Sequence, residues 1–148
     1  MGIRVEPVTT ANLHEILPLF AQYQEFYRVP ADHVKNERFL RRLLGNPAIG
    51  AQFLAYDENE PIGFATLYYT EASLSASQVG TLNDLYVVPK ARGKGVGRAL
   101  MDHCIAHLHS KGLDKMLWLT HPDNRTAQHL YDSYPAIRDT WLEYTLPL

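Results

Sequence analysis

The fold is decided by one stretch, Leu82-Asn-Asp-Leu-Tyr-Val-Val-Pro-Lys-Ala-Arg-Gly-Lys-Gly-Val-Gly-Arg-Ala-Leu100. Its apolar start, Leu82 to Val88, predicts a strand that stops at Pro89, which has no backbone N–H to donate to a sheet. A basic, glycine-spaced turn follows. It leads into a helix whose apolar positions recur every four residues: Val96, Leu100, Cys104 and Leu108. Because a helix start presents unpaired N–H groups with partial positive charge, the stretch predicts an anion site suited to a pyrophosphate.

Two common phosphate-binding motifs do not fit this turn. The dinucleotide fingerprint requires Gly-x-Gly-x-x-Gly, and the spacing of the third glycine fails at Gly97. The phosphate-binding loop of nucleotide hydrolases requires Gly-Lys-Ser/Thr, and Lys94 is followed by Gly95. What remains is Arg-x-x-Gly-x-Gly, beginning at Arg92, directly after a strand that ends in Val-x-Pro.

This motif resembles the pyrophosphate-binding motif of the GNAT superfamily of acetyl-coenzyme A-dependent N-acetyltransferases. A second segment, Asn-x-x-Ala-x-x-Leu-Tyr from Asn124 to Tyr131, also matches the family. Together with Asn-Asp-Leu-Tyr-Val, it looks like the subgroup of polyamine or diamine and fungal histone/polyamine acetyltransferases. The resemblance covers nearly the whole chain. It implies one domain over residues 1–148 with the GNAT fold, an α+β architecture in which helices flank a mixed, mostly antiparallel sheet.

Length and composition agree with one soluble domain. The 148 residues are enough for one core, and a net charge of −2 gives no basic excess for binding nucleic acid or an anionic membrane. No apolar run approaches the length of a membrane span, and the first residues lack the layout of a signal peptide. The one cysteine, Cys104, excludes an intramolecular disulfide. We therefore expect a cytoplasmic protein.

Periodicity and turn residues predict the remaining elements in the order β-α-α-β-β-β-α-β-α-β. The predicted strands are residues 3–8, 51–56, 62–69, 79–88, 116–119 and 137–146. The predicted helices run from a cap at Thr9 or Thr10 to about Tyr27, from about Asp32 to Gly45, and over residues 96–110 and 125–132. Residues 71–77 are predicted to be a polar loop. Tyr134-Pro135-Ala136 replaces the usual Gly-Phe of the family, which weakens the prediction for the final strand.

The resemblance implies which residues contact acetyl-coenzyme A. The strand before the turn lies along the pantetheine and offers backbone N–H groups to the thioester carbonyl: Leu85, Tyr86 and Val87. The turn and the helix start hold the pyrophosphate: Arg92, Gly93, Lys94, Gly95, Val96, Gly97 and Arg98. The second segment contributes Asn124, Ala127 and Tyr131.

Acetyl transfer to an amine needs a proton donor for the leaving thiolate and a proton acceptor for the amine. Tyr131 matches the general acid of many family members, and a phenol with a pKa of about 10 keeps its proton at neutral pH. Asp84 is the nearest carboxylate, with a structural hydrogen bond as its alternative role. The polyamine enzymes have an assisting glutamate where this chain has Asn83, which cannot act as a base. Strand alternation places Asn83 and Asp84 on opposite faces. The base stays open between Asp84, a water and a residue not yet placed.

Other residues are assigned to the acceptor. Phe26 and Tyr27 match positions that line the acceptor site of the polyamine enzymes, and aromatic rings attract an ammonium group. His121 lies just before the Asn124 turn, where it can contact the acceptor or relay a proton. His103 and His107 are four residues apart, but no third ligand is spaced to complete a metal site. They are interpreted as a solvated helix face, and no metal is expected.

The sequence thus predicts direct transfer of the acetyl group from acetyl-coenzyme A to a primary amine of a small molecule: a polyamine, a diamine or an amino-acid-like acceptor. A covalent acetyl-enzyme is disfavoured because Cys104 is expected to pack in the core. Two alternatives stay open, an acetyltransferase for protein lysines or N-termini and a non-catalytic sensor of coenzyme A. The resemblance also implies a homodimer.

Overall fold

The structure is a computed structural model that describes residues 2–148. One five-stranded sheet has the order β1-β2-β3-β4-β5, and its neighbouring strands are antiparallel except for the parallel pair β4–β5. The strands are β1 (Ile3–Pro7), β2 (Gly50–Asp57), β3 (Glu60–Ala72), β4 (Ser77–Val87) and β5 (Met116–Leu117). The helices are α1 (Leu13–Phe26), α2 (His33–Leu44), α3 (Val96–Ser110) and α4 (Arg125–Tyr131), with a short 3-10 turn at Pro89–Ala91. The predicted GNAT-type α+β fold is confirmed.

Helices cover both faces of the central strands. The side chains of β3 are continuously buried from Ile62 to Leu67, as expected for a strand covered on both sides. Phe64 packs against the ring of Phe20 in α1, at 5.9 Å between centroids. On the opposite face, a Cβ at Gly63 would lie only 3.2 Å from Leu100 of α3, so glycine permits the close approach of that helix.

Strand β4 has different neighbours along its length. It pairs with β3 from Ser77 to Val87, whereas within residues 2–148 its pairing with β5 is confined to Gly80–Met116 and Thr81–Leu117. A β-bulge interrupts the β3–β4 register where Thr66 faces Asp84 and Leu67 faces Leu82. The second half of β4 therefore has one backbone edge without a neighbouring strand in the described part of the chain.

Two predicted boundaries are wrong. The polar loop at 71–77 is a tight turn, since β3 extends to Ala72 and β4 begins at Ser77. Polar cross-strand contacts extend this hairpin, including the hydrogen bond from Gln78 Nε2 to Glu71 Oε1 at 3.0 Å. Helix α1 begins after Asn12 rather than after Thr9 or Thr10. The Thr9 hydroxyl accepts instead from the N–H of Ala11, before the helix starts.

The strand predicted at residues 137–146 is absent, because these residues have no secondary structure in the described chain. Their large apolar side chains are exposed, for example 85% for Trp141 and 79% for Leu146. Strand β5 is also shorter than the predicted 116–119. Both departures have one physical cause, because a strand needs a hydrogen-bonded neighbour: within residues 2–148, β5 pairs only with two residues of β4, and residues 137–146 pair with no strand. No helix among residues 2–148 combines the length and apolar character needed to cross a membrane.

Candidate functional site

The glycine turn between β4 and α3 is open on its outer side. Gly93 and Gly95 have positive φ angles of 75° and 85°, a conformation that other residues adopt only at a cost. A methyl group added at either position would meet no protein atom within 4 Å. The backbone of the turn is thus accessible to a ligand at close range.

Helix α3 begins at this turn with free donors. Gly95 occupies the N-cap position, and no side chain in the described part of the chain caps the helix. The first N–H groups of α3 have no carbonyl partner within the helix and carry the positive end of its dipole. The exposed cations Arg92, Lys94 and Arg98 surround this helix start. Together these groups make the helix start electropositive, an environment that suits an anionic ligand of phosphate type.

Two of these cations are held by protein contacts. Arg92 Nε donates to the carbonyl of Val87 at 2.9 Å, and its guanidinium lies over the rings of Phe26 and Tyr86 at 5.4 and 5.7 Å. Arg98 donates to the Ser133 hydroxyl after α4 and lies 5.1 Å from the centre of the Tyr134 ring. Arg92 therefore connects the end of β4 to the end of α1.

Gly97 serves packing between helices. A Cβ at this position would lie 3.2 Å from Leu130 Cδ2. Glycine in the first turn of α3 thus lets α4 approach. The sequence motif placed Gly97 with the anion-binding glycines, and the structure adds this packing role.

The free edge of β4 leads into the glycine turn. From Leu82 to Val87 the strand keeps β3 on one side and has no strand on the other within the described residues. Leu85 and Val87 are half-buried. The Tyr86 side chain is buried, and its hydroxyl donates to Gln22 Oε1 of α1 at 3.3 Å. The N–H of Val88 donates to the carbonyl of Ile62 in β3, so alternation along β4 turns the backbone of Tyr86 toward β3 and the backbones of Leu85 and Val87 toward the free edge.

Tyr131, the last residue of α4, is half-buried beside Trp118, with ring centroids 5.5 Å apart and an edge-to-face orientation. Burial, followed by the neighbouring Tyr27, raises the pKa of the Tyr131 phenol, so it stays protonated at neutral pH. The start of the helix is capped by Asn124, whose Oδ1 accepts from the N–H of Ala127 at 3.1 Å. The side-chain oxygen of Asn124 is thereby used to cap the helix, and Tyr131 lies near Tyr27, the residue that follows α1.

Asp84 is the centre of a buried polar cluster. Its side chain is only 6% exposed, and Asn83 Nδ2 donates to its Oδ1 at 3.0 Å. The hydroxyls of Thr66 and Tyr23 also lie near the carboxyl and favour its charged form. Burial raises the pKa of Asp84, and these three polar neighbours oppose that rise only in part. Asn83 is exposed and Asp84 is buried, as the expected placement on opposite faces of the strand requires, but the β-bulge still lets the Asn83 amide reach the Asp84 carboxylate, which alternation did not predict.

Aromatic rings line the region between this cluster and solvent. Tyr23 contacts the rings of Tyr27 and Tyr86 at centroid distances of 5.2 and 6.1 Å. Phe26 lies 5.1 Å from Tyr27, and both rings are more than half exposed. The end of α1 therefore presents an exposed aromatic wall beside buried Asp84.

Sequence reasoning missed three members of the region: Tyr23, Thr66 and Tyr68. Tyr23 lies inside α1, and no local pattern in the sequence links it to Asp84. Burial raises the pKa of Tyr68, with Asp84 adding to the rise and Arg42 opposing it, which places Tyr68 in the same electrostatic environment. Their common feature is proximity to the bulge in β4, and a linear pattern does not encode that proximity.

The histidines occupy other environments. His121 lies in an exposed turn before α4, where its Nδ1 accepts from the N–H of Asp123 at 3.1 Å. The solvated face predicted for His103 and His107 is wrong, because both rings contact Phe53, at 4.7 and 5.1 Å. His107 Nε2 is hydrogen-bonded to the Tyr69 hydroxyl at 2.7 Å, and burial lowers its pKa. Among residues 2–148, no three His, Cys, Asp or Glu side chains are grouped to hold a metal.

Cys104 is fully buried in α3, as expected from the sequence. Burial raises the pKa of its thiol to about 12. Because the thiolate is the reactive form, this side chain is unsuited to act as a nucleophile at neutral pH.

Comparison with known proteins gives a consistent result. Residues 14–134 match the sequence model of the acetyltransferase (GNAT) family. The chain is 36% identical over 138 residues to an uncharacterized N-acetyltransferase, YhfO, of Bacillus subtilis (strain 168), covering 93% of this chain and 92% of that protein. It is 26% identical over 139 residues to a thialysine N-epsilon-acetyltransferase of Caenorhabditis elegans, with 94% and 86% covered. The crystal structure of a probable acetyltransferase superposes with a TM-score of 0.87 at 32% identity, covering 98% of this chain and 97% of that one.

Proposed function

Because this chain belongs to the GNAT family of acetyl-coenzyme A-dependent acetyltransferases, we propose that it acetylates the primary amine of a small molecule of the polyamine, diamine or amino-acid class. The observation that carries the proposal is the free edge of β4, which leads from buried Asp84 to the open glycine turn. We call this free edge of β4 the slot. It connects the anion site at the glycine turn to the buried carboxylate of Asp84, beside the exposed aromatic rings at the end of α1. An enzyme that brings an anionic acyl carrier to a cationic acceptor needs these features side by side.

The residues of the slot fit acetyl-coenzyme A, which supplies the activated acetyl group. Gly93 and Gly95 leave their backbone open, and the start of α3 offers uncapped N–H donors for the pyrophosphate. Arg92, Lys94 and Arg98 add positive charge, and Val96 is buried where it fixes the start of the helix. Backbone groups of Leu85 and Val87, which face the free edge, are the proposed contacts for the pantetheine, and Tyr86 supports them through its pairing with β3.

Tyr131 is proposed as the proton donor to the leaving sulfur. Its raised pKa keeps the proton on the phenolic oxygen at neutral pH, as a general acid requires before the reaction. Its contact with Trp118 fixes the ring at the end of α4. Ala127 and Asn124 set the start of that short helix and hence the position of Tyr131.

Asp84 is proposed as the proton acceptor for the attacking amine. A carboxyl with a raised pKa is a stronger base than an ordinary carboxylate, and Asp84 meets this condition through burial. Its hydrogen bond from exposed Asn83 connects the buried carboxyl to the exposed surface of β4. The rings of Phe26 and Tyr27 provide an aromatic surface for the ammonium form of the acceptor.

A small acceptor is supported by the relative from C. elegans, which is named for acetylation of thialysine. His121, in the exposed turn before α4, is retained as a candidate for contact with the outer part of the acceptor. We also propose a cytoplasmic location, in keeping with a lone, buried and unpaired cysteine.

An acceptor panel tests the proposal. The purified protein is incubated with acetyl-coenzyme A and polyamines, diamines, amino acids or basic peptides, and free thiol is measured. We expect thiol release that depends on a small amine and exceeds the release with peptides. Preference for peptides, or coenzyme A binding without release in any mixture, would contradict the proposed function.

A further inference from the structure

Three buried polar side chains form a row across the middle of the sheet. Gln52 in β2 is directly opposite Thr66 in β3, and Thr66 is directly opposite Asp84 in β4. All three are at most 9% exposed. Apart from tyrosines, Asn36 is the one other buried polar side chain among residues 2–148, and it is paired with Gln24 of α1. The row needs an explanation of its own, because a buried polar group is costly unless it is hydrogen-bonded.

The hydrogen bond between Gln52 and Thr66 decides where the Thr66 hydroxyl can donate. Gln52 Nε2 donates to Thr66 Oγ1 at 2.9 Å. A hydroxyl has one hydrogen, and since Gln52 occupies a lone pair of the oxygen, that hydrogen is left for another acceptor. On the neighbouring strand, opposite Thr66, is the carboxyl of Asp84, which accepts hydrogen bonds at both oxygens when it is ionised. The amide of Gln52 thus leaves Thr66 free to donate to Asp84.

The surroundings of the row favour strong hydrogen bonds. A cavity of about 170 Å³ between α2 and the sheet is lined by Gln52 and Thr66, and otherwise mainly by apolar residues such as Leu43 and Leu44. Apolar surroundings keep the local dielectric low, so a hydrogen bond to a charged group is stronger there than in water. In agreement, Thr66 lowers the pKa of Asp84 against the larger rise that burial causes.

The other polar groups around Asp84 do not titrate in the pH range where its carboxyl does. Tyr23 of α1 and Tyr68 of β3 lie in its electrostatic environment, and burial raises the pKa of both phenols, so both keep their protons at acidic and neutral pH. Arg42 of α2 acts on Tyr68, and a guanidinium group stays charged throughout this range. The Asn83 amide is uncharged. A change in the pKa of Asp84 that follows a change in the row therefore reports on the row.

We propose that Gln52 and Thr66 are positioning residues for the reaction: Gln52 orients the Thr66 hydroxyl, and Thr66 donates its hydrogen to the carboxyl of Asp84. This hydrogen bond favours the ionised carboxyl, which is the form that can accept a proton from the attacking amine. The row thus sets the pH at which Asp84 can act as a base. The catalytic consequence rests on the proposed function, whereas the protonation of Asp84 can be followed without any substrate.

An NMR titration of the carboxyl carbons of isotopically labelled aspartate, with no substrate present, tests the row. The Asp84 signal is identified by its loss in Asp84→Asn. We expect Thr66→Val to raise the pKa of Asp84 by about one pH unit, because a hydrogen bond to a charged group is lost. Thr66→Ser keeps the hydroxyl and should keep the wild-type value. The matched control, Gln78→Met, removes an amide donor to Glu71 in the β3–β4 hairpin and should also keep it.

A double variant shows whether Gln52 acts through Thr66. Gln52→Met alone should raise the pKa of Asp84 by less than Thr66→Val does, and combined with Thr66→Val it should add nothing, since the hydroxyl that it orients is gone. The double variant replaces both partners with apolar side chains of similar size, which limits the loss of stability, and circular dichroism checks its fold. An unchanged pKa of Asp84 in any of these three variants, a rise of equal size in Thr66→Ser, or a further rise in the double variant would overturn the proposal.

The pH profile of acetyl transfer separates the row from the proposed function. With a small amine, kcat/KM should rise with pH through the pKa of Asp84, because the ionised carboxyl is the proton acceptor. In Thr66→Val this rise should move to higher pH by the same amount as the NMR titration. A shifted titration with an unshifted rate profile would overturn the role of the row in catalysis. A wild type without acetyl transfer would instead contradict the proposed function, and the NMR titration would still decide on the row.

Discussion

At the scale of single residues, Asp84 shows how burial decides chemistry. Three hydrogen-bond donors surround its carboxyl, yet burial still raises its pKa above the ordinary value of 3.8. The folded chain therefore binds a proton at Asp84 more readily than the unfolded chain does. Stability from this group is fully present below the unfolded pKa and is lost as pH rises through the folded pKa.

Replacing Asp84 with Asn removes this dependence on pH. Because the variant carries no buried charge, we expect its melting temperature to rise relative to wild type as pH increases from about 4 to 7. Acetyl transfer should fall by about tenfold or more if Asp84 is the base. Thermal unfolding at several pH values and steady-state kinetics measure the two effects. Asp139→Asn, at an exposed carboxylate, is the control. A constant difference in melting temperature would contradict the electrostatic account.

Sequence could identify Asp84 but not its environment. The residue lies on a strand that leads into the glycine turn, and this local position singled it out. Its partners Tyr23 and Thr66 come from α1 and β3, so only the folded chain brings them together. Its contact with Asn83 depends on a bulge, and strict alternation along a strand excludes such a contact.

At the scale of elements, the glycine turn combines a backbone requirement with a ligand requirement. Gly95 and Gly112 share these backbone properties: their φ angles are 85° and 77°, and both have open space at the Cβ position. They differ in place, since Gly95 begins α3 and Gly112 follows its end. The two positions can therefore separate strain from binding.

We expect Gly95→Ala and Gly112→Ala each to lower the free energy of unfolding by about 1–2 kcal/mol, because alanine is strained at positive φ. Only Gly95→Ala should weaken coenzyme A binding, by about tenfold, equivalent to about 1.4 kcal/mol. Denaturant unfolding and titration calorimetry measure these quantities. Equal coenzyme A affinities in the two variants would contradict the proposal that the glycine turn binds coenzyme A.

Elements with local signals were predicted well, and those that depend on distant partners were not. Helix α3 has its predicted limits because its apolar repeat and the glycines at its ends lie in one short stretch. The hairpin of β3 and β4 extends further than predicted because its polar residues pair across strands. The segment 137–146 has a strand pattern, but no strand of the described residues 2–148 pairs with it.

At the scale of the whole molecule, the glycine turn at the end of β4 brings together elements that are distant in sequence. Arg92 lies over Phe26 of α1 and Tyr86 of β4, and Gly97 of α3 lies against Leu130 of α4, so a ligand bound at the turn would connect these elements. A ligand that binds the folded chain but not the unfolded chain raises the free energy of unfolding by about 2.7 kcal/mol at a concentration 100 times its dissociation constant.

Coenzyme A should therefore raise the melting temperature by about 5–10 °C at that concentration. Gly95→Ala should show a smaller rise at the same ligand concentration, whereas Gly112→Ala should match wild type in the size of its rise. Thermal unfolding with and without coenzyme A makes the comparison. An unchanged wild-type melting temperature would contradict binding in the slot.

Acetyl transfer at the free edge of β4 is tested most directly by the rate of the Tyr131→Phe variant. This change removes the proposed proton donor and keeps the ring that packs on Trp118. We expect kcat to fall by about tenfold or more with little change in coenzyme A affinity. Tyr69→Phe is the control, because Tyr69 is also a partly buried tyrosine with a raised pKa, and its hydroxyl binds His107. A Tyr131→Phe enzyme as fast as this control would contradict the assignment of Tyr131.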